Sequence, residues 1–160
     1  MMKKTIEVDD TRARSQLNRI SSRLDSMSDR VRDLSVPNKK VSILLDQWVQ
    51  FNFASEGSKV GGWVPFASGR GRYIPGRGWD TTAKLLQDTA TLKHSYHPFY
   101  DRKVAGIGSN LPYAKPHNDG EGFLSARRMI PSNKLDVDLI NKAAKIILDH
   151  VSGGNDAESK

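Results

Sequence analysis

From Thr11 to Leu34 the apolar positions Leu17, Ile20, Leu24, Met27, Val31 and Leu34 alternate at spacings of three and four, with arginines, aspartates and serines between them. That spacing predicts a long helix with a heptad seam, about 35 Å at 1.5 Å per residue. Such a stripe must be covered, either by the next helix in an αα-hairpin or by a neighbouring subunit. Val36-Pro37-Asn38 breaks it, because a residue before proline is driven out of the α region and proline suits a first helical turn. A second helix then follows, with Val41, Leu44, Leu45 and Trp48 on one face and a stop at Glu56-Gly57.

Residues 57–79 change character. Seven glycines alternate there with Arg70, Arg72 and Arg77 and with the aromatics Trp63, Phe66, Tyr73 and Trp79, a density that predicts no regular element. A loop of roughly twenty residues is uncommon in a compact domain and points to a segment that docks on a partner. A short helix is expected over 80–88, with Asp80 or Thr81 as its cap. Alternation of Leu92, His94 and Tyr96 predicts a strand over 91–98, paired through Tyr100-Asp101-Arg102 with a second strand over 103–108. Residues 110–122 read as irregular, and 123–130 as a third strand. Val137, Ile140, Ala144, Ile147, Leu148 and Val151 mark one face of a last helix over 136–151, followed by a polar tail over 152–160 that is expected to be mobile.

The pattern amounts to an α+β chain: two N-terminal helices, a small antiparallel sheet, a long Gly/Arg/aromatic loop and a C-terminal amphipathic helix. It divides into a helical extension over 1–35, an assembly domain over 36–151 and a tail. With 160 residues and 37% hydrophobic content there is room for one core. The absence of cysteine excludes disulfides and thiolate sites and suits synthesis in a reducing cytoplasm. No apolar window reaches the length of a membrane span. A formal charge of +7 favours an acidic partner, nucleic acid or protein.

The remaining motifs carry little chemistry. The glycines around Arg70 lack the lysine of a phosphate-binding loop. His94 and His97 on an extended segment point to opposite faces, so they share no metal. Ser95 lacks a nucleophile elbow. These patterns predict no enzyme, no cofactor and no metal. Gly69-Arg70-Gly71-Arg72, with Tyr73 or Trp79 to stack a base, carries the alternative of a nucleic-acid-binding module.

Four segments in order, Gly62-Trp63-Val64-Pro65-Phe66, Leu85-Leu86-Gln87-Asp88-Thr89-Ala90-Thr91-Leu92 through Ser95, Ile107-Gly108-Ser109-Asn110 with Tyr113-Ala114 and His117 to Gly120, and Arg127-Arg128-Met129-Ile130-Pro131, span roughly 40–150. Together they resemble the virion morphogenesis or tail completion family of tailed phages. Ala90 departs from the glycine common after Asp-Thr in that family, and Met129-Ile130-Pro131 from its Arg-Pro-Phe order. The resemblance implies a non-enzymatic subunit of the virion neck, forming a ring, hexameric or of related symmetry, that joins the tail tube or terminator to the head connector. On that basis Trp63, Phe66, Tyr73, Trp79, Tyr113, His117 and Arg127 are candidate interface residues. Arg70, Arg72 and Arg77 are candidate contacts to an acidic rim or to DNA in a channel.

Overall fold

The computed structural model describes residues 11–66, 71–132 and 136–153. Two long helices come first, α1 (Thr11–Arg32) and α2 (Ser35–Ala54). A 3-10 turn over Ser58–Val60 leads to a hairpin of β1 (Arg72–Ile74) and β2 (Gly78–Asp80). A single helical turn, α3 (Thr91–His94), introduces a second hairpin of β3 (Tyr96–Tyr100) and β4 (Ala105–Ser109). The short α4 (Ala114–Asp119) and the final α5 (Val137–Ser152) complete an α+β fold with two separate two-stranded antiparallel sheets.

α2 is the axis of the core. It presents Trp48, Val49 and Phe53 to the core, where Trp63, Leu85, Leu92, Tyr96, Ala114, Met129 and Leu139 close around them, and it packs on β3, β4 and α5; Val41 is buried nearer its start. Each large apolar side chain buried here contributes roughly 1.5–3 kcal/mol. The start of α2 is held by the second hairpin. Leu34 N donates to Arg102 O at 3.1 Å, Asn38 Nδ2 to Asp101 O at 2.9 Å, and Arg102 approaches Asp33 at 3.6 Å. Its end is held by the 84–90 segment: Leu85 N donates to the Glu56 carboxylate at 2.7 Å, and Gln87 Nε2 to Phe53 O, a terminal helix carbonyl, at 2.7 Å.

Several sequence expectations need correction. The glycine-rich stretch is not without regular structure, because Ile74-Pro75-Gly76-Arg77 forms a tight turn. Gly76 has φ 77° and Arg77 N donates to Ile74 O at 3.0 Å, which lets Tyr73 pair with Trp79. Gly71 is required just before β1, since a Cβ there would lie 2.1 Å from Asp80 O. Residues 80–88 form no helix: Asp80 ends β2 and its carboxylate accepts from Thr82 N at 3.0 Å, a turn that competes with helix initiation. The segment expected as a strand from residue 91 is helical through His94 and extended only from Tyr96: His94 N donates to Ala90 O at 2.9 Å, and Leu92 and Tyr96 face the core while His94, which an extended chain would put on the same side, is exposed. Residues 114–119 are helical where an irregular stretch was expected. Residues 123–130 form no strand; Met129 N and Ile130 N donate instead to the Asn118 side chain at 2.8 and 3.3 Å.

Ala90 has φ 56°, so the left-handed conformation survives without the glycine that would favour it. α5 follows its expected span, capped by Asp136, whose carboxylate accepts from Leu139 N at 3.0 Å. Its inward face is rotated, however. Leu139 is buried and Ala143, Ile146, Ile147 and His150 are partly so, whereas Val137, Ile140, Ala144 and Leu148 face outward. Of the expected tail, Ser152 and Gly153 close α5 and the remainder lies outside the described residues.

α1 does not form a hairpin with α2. No residue of α1 is buried, and it packs through its C-terminal end, against α5. Leu17, Ile20, Leu24 and Val31 are 64, 56, 59 and 52% exposed, with Met27 and Leu34 half-buried.

Candidate assembly surface

The candidate residues separate into three environments. Trp63 is interior and corrects the expectation of an interface anchor: it is only 7% exposed, its ring meets Phe53 edge-on at 5.3 Å, and its Nε1 donates to Arg128 O at 2.9 Å. The same carbonyl accepts from the buried Asn52 Nδ2 at 2.6 Å, so two donors pin the chain before Met129. Gly57, with φ 86°, is where the indole passes closest to the backbone; a Cβ there would lie 2.2 Å from the ring. Phe66 is half-buried against the same core.

The first hairpin carries the second group. Tyr73 and Trp79 are 56 and 46% exposed and pack on each other across the strands, ring centres 5.3 Å apart. This is a preformed apolar surface standing clear of the core, and cross-strand aromatic pairs stiffen the ribbon that presents it. Arg72 forms an ion pair with Asp88, which withdraws much of its charge from any outside anion. Arg77 occupies the turn and lines a shallow polar depression of about 310 Å³ with Trp79 and Thr82. Arg70 lies outside the described residues.

Tyr113, His117 and Arg127 form the third group, assembled by α4. Tyr113 packs on His117 with ring centres 6.3 Å apart. Arg127 N donates to His117 O at 2.9 Å, and Arg127 Nε to Val64 O at 3.0 Å. Burial, and then the Arg127 charge, hold His117 below the ordinary imidazole range. His117 Nδ1 and His150 Nε2 are buried without a hydrogen-bond partner among the described residues. Burial, assisted by Asp119, pushes the Tyr96 phenol up to about 12, in keeping with a hydroxyl that donates to Met129 Sδ at 3.7 Å.

The sequence passed over a further apolar surface on the second hairpin. Phe99, Tyr100 and Val104 are exposed, with the Phe99 ring lying over Gly106 of the opposing strand. Among the described residues β3 and β4 pair only with each other, so the ribbon has two unpaired edges. An apolar hollow of about 260 Å³ adjoins β4, lined by Leu45, Ile107, Ile130, Leu139 and Ile140. The signal was present as Pro98-Phe99-Tyr100 and Val104, aromatic and β-branched residues around a turn.

Among the described residues no group of three or more His, Asp or Glu side chains could hold a metal ion, and no helix is long and apolar enough to cross a membrane. What the arrangement offers is contact: two hairpins carrying exposed aromatics, strand edges unpaired among the described residues, and a helical seam exposed over Leu17, Ile20 and Leu24. No family model, curated protein or solved structure matches the chain.

Proposed function

We propose that this chain is a structural virion protein of a tailed phage, a subunit that forms a ring at the head-tail junction and joins the tail to the head connector. The observation that carries the reading is the distribution of apolar side chains. Tyr73 and Trp79 on one hairpin, and Phe99, Tyr100 and Val104 on the other, are exposed in separate patches beside strand edges that are unpaired among the described residues. A head-to-tail ring contact needs two different patches on each subunit, and strand edges invite pairing with a neighbour. The resemblance adds support because its four segments furnish Trp63, Leu85, Leu92, Ala114 and Met129 to the core, so it falls on residues that determine packing.

The test is electron microscopy of the purified protein with mass determination, at moderate and high salt and without nucleic acid. Closed rings, or rings formed on adding tail or connector protein, support the proposal. A stable monomer that ignores those proteins and binds DNA with steep salt dependence overturns it in favour of the nucleic-acid-binding alternative, with Arg77 and the Tyr73–Trp79 pair as the contact.

A further inference from the structure

We infer that residues 5–8 of one copy of this chain add as a strand to the outer edge of β4 in another copy, setting Ile6 and Val8 into apolar hollows beside it. This contact rests on the association of copies proposed above.

The second hairpin has one blocked edge and one open edge. Its register sets Pro98 opposite Ile107 and Phe99 opposite Gly106, and Asp101 N donates to Val104 O at 2.8 Å. Bonded and non-bonded pairs alternate along an antiparallel ladder, and Pro98 has no N–H to give. His97–Gly108, Phe99–Gly106 and Asp101–Val104 are therefore the bonded pairs. Ala105, Ile107 and Ser109 turn their N–H and C=O groups away from β3, where no backbone hydrogen bond of the described residues reaches them. The outer edge of β3 presents Tyr96, Pro98 and Tyr100, and the proline interrupts its row of donors.

The open edge also has somewhere to put side chains. Ile107 and Ile130 together line two hollows, one of about 260 Å³ walled by Leu45 and Leu139, the other of about 330 Å³ walled by Leu111 and Ala114. A strand laid along β4 directs every second side chain to the side of Ile107, which packs on the core, and the others to the side of Gly106 and Gly108.

Residues 1–10, 67–70, 133–135 and 154–160 lie outside the described residues, and only the first of these segments holds two β-branched apolar residues two apart. Thr5-Ile6-Glu7-Val8 has the alternation and the residue types of a half-buried strand. Ile6 and Val8 would stand about 7 Å apart on one side, and four residues cover about 13 Å of an edge roughly 16 Å long. A slip of one residue would turn both away from the hollows, so burial sets the register. The receiving edge belongs to another copy because of α1. Leu34, just past α1, is bonded to Arg102 at the tip of the second hairpin, and α1 with its 22 residues is about 33 Å long. Val8 lies at most about 10 Å from the start of α1. To reach β4 of its own copy the segment would have to double back along α1, whereas a neighbour's edge can be met directly, as in exchange of an element between protomers.

The test is hydrogen exchange read by mass spectrometry over residues 104–110, in the whole chain and in I6D/V8D, at rising protein concentration and with mass determination. As copies associate, exchange in that segment should slow about tenfold or more, because the outward amides of Ala105, Ile107 and Ser109 become bonded. In I6D/V8D the slowing should vanish, and self-association should weaken about tenfold or more, the order expected from two buried apolar side chains. Ala105→Pro removes an outward N–H without breaking a bond to β3, and should weaken association likewise. Slow exchange that does not depend on concentration places the segment on its own copy and overturns the inference. Rings or oligomers that form equally well in I6D/V8D also overturn it, while leaving the proposed ring intact. A chain that stays monomeric at every concentration overturns it too, and the ring is then decided by the response to tail and connector protein.

Discussion

Truncating the two tryptophans of the glycine-rich stretch should have consequences of very different size, although both lie among glycines and arginines in the sequence. Trp63→Ala removes an almost fully buried indole, its edge contact with Phe53 and its hydrogen bond to Arg128 O. Buried Trp-to-Ala changes cost about 3–5 kcal/mol, a large part of the roughly 5–15 kcal/mol that holds a domain together. The hydrogen bond is the lesser share. Asn52 still donates to the same carbonyl, so no acceptor is orphaned, and its loss stands near the low end of about 0.5–1.5 kcal/mol. Trp63→Phe, which keeps a ring, should cost about 1–2 kcal/mol. Trp79→Ala, at a half-exposed position resting on Tyr73, should cost under about 1 kcal/mol. The assay is equilibrium urea unfolding followed by far-ultraviolet circular dichroism, comparing midpoints at unchanged slope. A Trp63→Ala protein within about 1 kcal/mol of the parent, or a Trp79→Ala protein as damaged as Trp63→Ala, would refute the packing assigned to these residues.

Ala90→Gly should stabilise the protein by about 0.5–1 kcal/mol, because a left-handed alanine costs about 1–2 kcal/mol and the glycine returns part of that as unfolded-state entropy; a lower melting temperature would contradict the reading. Asp136→Ala should cost about 1 kcal/mol or more, since the carboxylate both caps α5 and accepts from Trp48 Nε1, and chemical denaturation reads it directly. His117 is held below the ordinary value of 6.5, so the folded state resists its protonation while the unfolded chain accepts it. Its contribution to stability is therefore present above pH 6.5 and lost as pH falls through the lower folded value. Melting temperatures from neutral to mildly acid pH should show that decline, and His117→Gln should flatten it.

Asp101 shows how far local sequence carries. An aspartate followed by Arg102-Lys103 between two β-prone runs reads as a turn, and its carboxylate indeed accepts from Lys103 N at 2.6 Å and Val104 N at 2.8 Å. Those bonds hold its carboxyl below the ordinary range. Asn38, Asn52 and Asn118 show the opposite. Each clamps a distant backbone segment through its amide, yet a lone asparagine in a helix carries no mark of its partner. The hairpin at 72–80 was legible in Ile74-Pro75-Gly76, a proline-glycine turn between aromatic residues, but glycine density over the whole window outweighed it.

The long-period features were determined by the sequence alone. The α+β class, α1 and α2 as two helices, the second hairpin and the span of α5 follow from periodicity, caps and turn residues, which act over a few neighbouring positions; the break between α1 and α2 falls at Asp33-Leu34, with Pro37 inside the first turn of α2 and not at the break expected there. Which face of α5 turns inward, that α1 leaves its seam uncovered, that Trp63 is interior while Trp79 is not, and that 123–130 is clamped by Asn118 instead of paired as a strand were decided only by tertiary structure. An amphipathic stripe states that apolar surface must be covered. What covers it depends on residues far along the chain.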